Sequence, residues 1–137
     1  MSARSKARKR AVDILYEADL RGRDRIELLR ERVADDATPP VNEHCVRLVE
    51  GVAAHAARID ELIERHAHGW SLERLPDVDR AILRMAVFEL LWVDDVPDAV
   101  VLDEAVALAK ALSTDDSPAY VNGVLGAVLD AEVPAGS

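Results

Sequence analysis

The stretch from Ala81 to Val93, Ala-Ile-Leu-Arg-Met-Ala-Val-Phe-Glu-Leu-Leu-Trp-Val, constrains the fold most, because as a helix it is apolar nearly all round. A helix of that kind cannot keep one face in water and has to be enclosed by other elements, so it should be the most buried in the molecule. A membrane span does not explain it, since a bilayer requires about 18–20 apolar residues and no run in the chain approaches that. Elsewhere apolar residues recur at three- or four-residue steps, with no clear alternating strand pattern, so the predicted class is all-α with about seven helices.

The remaining elements follow from periodicity and punctuation. A first helix runs from Ala3 to about Leu20 and stops near Gly22. Asp24 then caps a short second helix whose Ile26, Leu29 and Val33 face inward, and the segment from Asp35 to Pro40 is a break. A single long third helix is expected from about Val41 to His66, with Gly51 and the alanines around it leaving a slim middle for close approach by another helix. Gly69 closes it and Trp70 is expected to fold back as a hydrophobic plug. One helical turn over Ser71–Arg74 precedes Pro76, and Asp77 or Asp79 should cap the apolar helix. After the turn at Asp94–Asp98, a sixth helix carries Val101, Ala105, Leu108 and Leu112 inward. The last begins at Ser117-Pro118 with Ser117 as its cap. Gly123 within it costs roughly 1 kcal/mol relative to alanine, so the small stripe Ala119, Gly123, Gly126 points to close approach by another backbone or a ligand. With 137 residues, the chain is read as one domain over residues 1–137.

Charge is distributed unevenly. From Met85 onward there is one basic residue, Lys110, against ten acidic ones, which accounts for the whole net charge of −9. Most of the surface should therefore repel nucleic acid. The exception is the start of the chain, where Arg4, Lys6, Arg8, Lys9 and Arg10 crowd the first turns of a helix whose Ala7, Ala11, Ile14, Leu15 and Ala18 form the docking face. Cations at a helix N-terminus cost roughly 0.3–1 kcal/mol each unless an anion is present, and phosphates would supply one. Lys9 and Tyr16 lie about 20° apart on the wheel, which places a ring beside the cationic row and makes a plausible RNA surface. The alternative is a solvated basic tail.

Catalytic chemistry is not supported by any motif: there is no phosphate-binding glycine loop, nucleophile turn or paired Cys-x-x-Cys, so an enzyme is not expected. The single cysteine, Cys45, excludes an internal disulfide and suits a reducing, cytoplasmic setting; next to His44 on a helix it points about 100° away and reads as core. His44, His55 and His66 recur every eleven residues, too far apart along the helix to bind one metal, so no metal site is predicted. Trp70, Phe88 and Trp92 read as core, and Tyr120 as contact or packing equally.

Further segments carry a resemblance. They are Ala7-Arg8 through Leu15-Tyr16, Asp79-Arg80-Ala81-Ile82-Leu83-Arg84 with Phe88-Glu89-Leu90, Asp95-Val96-Pro97, and Asp103-Glu104-Ala105-Val106 with Leu108-Ala109-Lys110. The most specific is Asp116-Ser117-x-x-Tyr120-Val121-Asn122-Gly123-Val124-Leu125. Together they resemble the NusB family of transcription antitermination factors, in order and over nearly the whole chain, least distinctively in residues 21–75. The resemblance implies two small helical bundles packed together and a function without catalysis or cofactor. It implies binding of boxA-type single-stranded RNA in nascent ribosomal transcripts, with the ribosomal protein NusE, in an RNA polymerase complex that reads past terminators. By matching position it implies Arg4, Lys6, Arg8 and Arg10 on RNA phosphates, with Tyr16 and Tyr120 for base stacking. Asp116 and Asn122 fall where the last helix approaches RNA or partner, and Asp79 and Arg80 in the region that meets NusE. Ser5 interrupts a run that is often wholly basic, Ala119 stands where a basic residue is common, and Tyr120 replaces a phenylalanine, which keeps stacking available. On this basis, reversing Arg4 and Arg8 to Glu should abolish RNA binding with little effect on stability. A reading from another class remains: a helical protein-interaction module or homodimer whose basic first helix is a subunit contact.

Overall fold

The apolar run is enclosed over most of its length. In the computed structural model, which describes residues 2–132, helix α5 spans Asp77–Trp92 and every residue from Ala81 to Leu90 is buried. Around it lie α1 (Ala3–Arg21), α2 (Arg25–Ala34), α3 (Glu43–Ala54), α4 (Ala56–His66), α6 (Asp98–Leu112) and α7 (Ser117–Glu132), with a 3-10 turn at Leu72–Arg74. All regular structure among the described residues is helical, and none of these helices is long and apolar enough to cross a membrane.

Helix α5 is shared by two groups of helices. On one side α1, α2 and α3 pack on one another, and α1 and α3 also pack on α5. On the other, α4, α6 and α7 pack against it. Ile82, Leu83 and Met85 are fully buried between the groups, each contributing about 1.5–3 kcal/mol relative to an exposed side chain. Both ends of α1 are capped, the second at Gly22 as the sequence indicates. The Ser2 hydroxyl accepts from the Ser5 amide, and Gly22, at φ 63°, takes the left-handed turn that a side chain would oppose.

Several local expectations are corrected. The long third helix is two, broken at His55, whose φ and ψ of −115° and 21° leave the helical region. Hydrogen bonds from the His55 amide to Gly51 O at 3.0 Å and from the Ile59 amide to His55 O at 2.9 Å carry the chain through, so the break is a kink. The His55 ring stacks on Trp92 with centroids 4.4 Å apart at that bend. Gly51 does permit a close approach, but by the Phe88 ring and not by a helix backbone: a Cβ at Gly51 would lie 2.0 Å from Phe88 Cζ.

Trp70 is no plug, being 52% exposed; the left-handed residues His68 and Gly69 turn the chain outward, and Ala67 closes that corner. In α2 the buried positions are Leu28 and Leu29, while Val33 is exposed, because it lies roughly 90° round the helix from the face that this pair buries; Arg32 pairs with Glu17 of α1. Neither Asp77 nor Asp79 caps α5, which starts after Pro76. Ser117 is not a cap either: its hydroxyl donates to Asp79 Oδ2 at 2.9 Å. Beyond the helix's own backbone, no described atom lies within 4 Å of a Cβ built at Gly123 or Gly126, so among the described residues no other backbone makes the close approach expected at these two glycines.

Candidate nucleic-acid interface

The cations of α1 leave the helix in three directions. Arg4 and Arg8, one turn apart, point toward α5 and the α5–α6 turn. Lys6 and Arg10 point toward the α2–α3 connection, and Lys9 points outward. Arg8 is 2% exposed and clasps Glu89 of α5, with Nε to Oε1 at 2.7 Å and Nη2 to Oε2 at 2.8 Å. His44 Nε2 of α3 lies 2.8 Å from the same Glu89 Oε2. A phosphate cannot reach a guanidinium so enclosed, so the expected RNA role of Arg8 is replaced by a structural one. Seven residues separate Arg8 from Leu15, which places both on nearly one line of the helix, and Glu89 is the lone carboxylate in an apolar run. The two features were not joined from sequence, and they are the only sequence signals of the pair.

One turn nearer the solvent, a second cluster repeats the pattern. Arg4 Nη2 donates to Asp95 Oδ2 at 2.9 Å, and Arg47 Nη1 of α3 donates to Asp95 Oδ1 at 3.2 Å. Hydrogen bonding and charge from Arg4, with Arg47 adding to it, hold the Asp95 carboxyl below the usual range. Glu104 of α6 accepts from the Ser5 hydroxyl and lies 3.5 Å from Arg8 Nη1. These carboxylates beside the first turns of α1 offset the unfavourable placement of cations at that helix end.

Toward the other side, Arg10 donates to Pro39 O at 2.8 Å and Thr38 Oγ1 at 3.2 Å, which ties it to the α2–α3 connection. Lys9 forms an exposed pair with Asp13 at 3.1 Å, and Lys6 is exposed with no ion pair among the described residues. Lys6, Lys9, Arg10, Arg32 and Thr38 line an open cleft of about 300 Å³ together with Asp13 and Glu17. Tyr16 is half-buried against the core further along α1.

The residues expected on α7 and at the start of α5 lie elsewhere. Asp79, 3% exposed, accepts from the Ser113 and Ser117 hydroxyls, and so latches the α6–α7 turn onto α5. Both of its carboxylate oxygens are taken up by those hydroxyls, so the expected partner contact gives way to a structural role beside the cleft that Trp70 and Tyr120 line. Arg80 is likewise occupied, donating to Asp19, Asp77 and the carbonyls of Leu72 and Leu75. Burial would raise the Asp19 carboxyl, but Arg80 and Arg84 together hold it below its ordinary value.

Tyr120 is partly buried, and its hydroxyl donates to Ala67 O at 3.4 Å. Burial first, and nearby Asp79 second, push its phenol above the usual value. With Trp70, Leu75, Pro76 and exposed Asp116 it lines a cleft of about 230 Å³. Asn122 is exposed in a shallow groove between α6 and α7, near Asp103, Lys110 and Ala119. Arg4 and Arg8 of α1 therefore sit toward the end of α5, and Asp116 and Tyr120 toward its beginning.

Cys45 is fully buried and its thiol is pushed up to about 11 by that burial, so it is a core residue. Among the described residues no group of three His, Cys, Asp or Glu side chains could hold a metal ion.

A model of the NusB family matches residues 5–130. The transcription antitermination protein NusB of Saccharopolyspora erythraea is 65% identical over 129 residues, covering 93% of this chain and 87% of that protein. Among solved structures, NusB of T. maritima superposes with a TM-score of 0.86 at 33% identity, covering 98% of this chain and 95% of that one. A structure of the antitermination factors NusB and NusE in complex with double-stranded RNA superposes with a TM-score of 0.80 at 34% identity, covering 91% of this chain and 94% of that one.

Proposed function

Because the chain belongs to the NusB family of transcription antitermination proteins, we propose that its α1 surface binds boxA-type single-stranded RNA of nascent ribosomal transcripts, jointly with NusE. The observation that carries this reading is the disposition of cations on an otherwise acidic protein. Lys6 is exposed and has no ion pair among the described residues, Lys9 and Arg4 sit in exposed and hence weak pairs, and Arg10 borders the same cleft. Tyr16 lies further along α1, and rings beside cations suit single strands.

At the other end, Tyr120 and Asn122 are proposed as further RNA contacts and Asp116 as a contact to NusE. A basic ribosomal protein suits the acidic second half of the chain. The protein acts by binding and not by catalysis, needs no cofactor, and works in the cytoplasm as one helical unit within an RNA polymerase antitermination complex.

The deciding experiment titrates a boxA oligonucleotide and a scrambled control, each with and without NusE. Binding should prefer boxA and tighten with NusE. With three or four phosphates neutralised, log affinity should fall with log salt at a slope near −2 to −3, at about −0.7 per contact. A slope near zero would remove the proposal. Light scattering over a concentration series covers the competing homodimer, whose formation should compete with RNA if α1 is the subunit contact.

A further inference from the structure

The two charge clusters between α1 and α3 are built on one plan. The inner one joins Arg8 of α1, His44 of α3 and Glu89 of α5. The outer one joins Arg4, one turn before Arg8, Arg47, one turn after His44, and Asp95, just beyond the end of α5. They differ in exposure. Glu89 is 1% exposed and Arg8 2%, whereas the Asp95 side chain is 54% exposed and Arg4 and Arg47 about as much. The inner cluster locks the rotation of α1 against α3, and that lock fixes where the two outer guanidinium groups converge.

An exposed carboxylate held by two arginines has the charge and the pair of acceptor oxygens of a phosphate. Such surface pairs contribute little to stability, so exchanging one anion for another costs little. The position also lies beside the first turn of α1, where the helix dipole favours an anion. Asp95 is ionised at neutral pH, so it competes with any incoming anion.

We propose that Arg47 is a further RNA-phosphate contact and that Asp95 occupies, in the free protein, the place a phosphate takes between Arg4 and Arg47. This rests on the reading of α1 as an RNA surface. Arg47 did not stand out in the sequence because it lies on α3 and outside the basic run; only the convergence on Asp95 joins it to Arg4.

The test uses fluorescence anisotropy of a dye-labelled single-stranded boxA oligonucleotide with the full chain and NusE, over a salt series. Arg47→Gln should weaken binding about 3–10-fold and make the salt slope shallower by about 0.7. Asp95→Asn should tighten binding about 2–5-fold. Glu61→Gln, on the outer face of α4 and paired with Arg58 and Arg65, changes the net charge equally and should leave affinity unaltered. Thermal unfolding of each variant confirms that the fold is retained, as exposure of all three positions predicts. If the wild-type chain binds boxA but Arg47→Gln matches it in affinity and slope, the proposal is overturned and the α1 surface stands without it. It is equally overturned if Asp95→Asn and Glu61→Gln tighten binding alike, since net charge alone would then account for the gain. A wild-type chain that does not distinguish boxA from the scrambled strand removes both readings together.

Discussion

The guanidinium of Arg8 and the carboxylate of Glu89 form a two-point ion pair inside the protein, at 2.7 and 2.8 Å, joining the basic helix to the most enclosed one. Removing one partner leaves the other charged and buried, which typically costs about 3–5 kcal/mol. Glu89→Ala should therefore lower the urea midpoint steeply, and Arg8→Glu should unfold the protein and not merely release RNA. The double variant Arg8→Met with Glu89→Met should recover much of the loss, because a pair replaced by packed apolar side chains leaves no orphan charge. Equal destabilisation of single and double variants would contradict this account.

Two helical glycines should respond in opposite directions. At Gly51 an added methyl collides with the Phe88 ring, which is itself stacked on Trp92 at a centroid distance of 5.9 Å and has little room to move. Overpacking of that kind costs about 1–3 kcal/mol, more than the roughly 1 kcal/mol of helix propensity gained. Gly123→Ala meets nothing and should stabilise by about 1 kcal/mol in thermal melts. If it also weakens RNA or NusE binding, the exposed stripe of α7 is a contact surface.

Acid should loosen the junction of α1 with α5. The Asp19 carboxyl is held below its ordinary value of 3.8, with burial opposing ionisation and Arg80 and Arg84 outweighing it. A group whose folded pKa is depressed contributes stability that is fully present above its unfolded pKa. That stability is lost as pH falls through the folded pKa, here below about pH 4. Denaturation midpoints between pH 7 and 3 should fall on the acid side for the wild type and fall less for Asp19→Asn. Parallel curves for the two proteins would remove Asp19 from the explanation.

The exposed cations of α1 should separate from Arg8 in a substitution series. Lys6→Ala and Lys9→Ala should each lower RNA affinity across all sequences and reduce the salt slope by about 0.7, with melting temperature nearly unchanged. Arg10→Ala should do the same and also loosen the α2–α3 connection, since Arg10 holds Thr38 and Pro39. Proteolysis within residues 35–40 measures that second effect.

Much of the architecture was legible because punctuation and periodicity act locally. Gly22 marks the end of α1, Asp24 caps α2, and the run after Ala81 identifies the central helix; each depends on neighbours in sequence. The kink at His55 was not legible, because apolar spacing continues across it and its companion Trp92 comes from another helix. Charge partners were harder still. Arg4, Arg8 and Arg10 are alike in sequence, yet Asp95, Glu89 and the Pro39 carbonyl assign them three different environments. Asp79 and Ser117 each looked like a helix cap, and instead they bond to each other across two helices.

The latch between Asp79 and Ser117 holds α7 near the beginning of α5, while Arg8 holds α1 near its other extremity. Glu89 and Asp79 are ten residues apart, and at 1.5 Å per residue this places the two anchorages about 15 Å from each other. A strand engaging both is in effect a bivalent ligand, whose second attachment becomes intramolecular once the first has formed. Oligonucleotides too short to bridge the span gain nothing from the far anchorage, so affinity should rise with chain length as a threshold and not as a smooth slope.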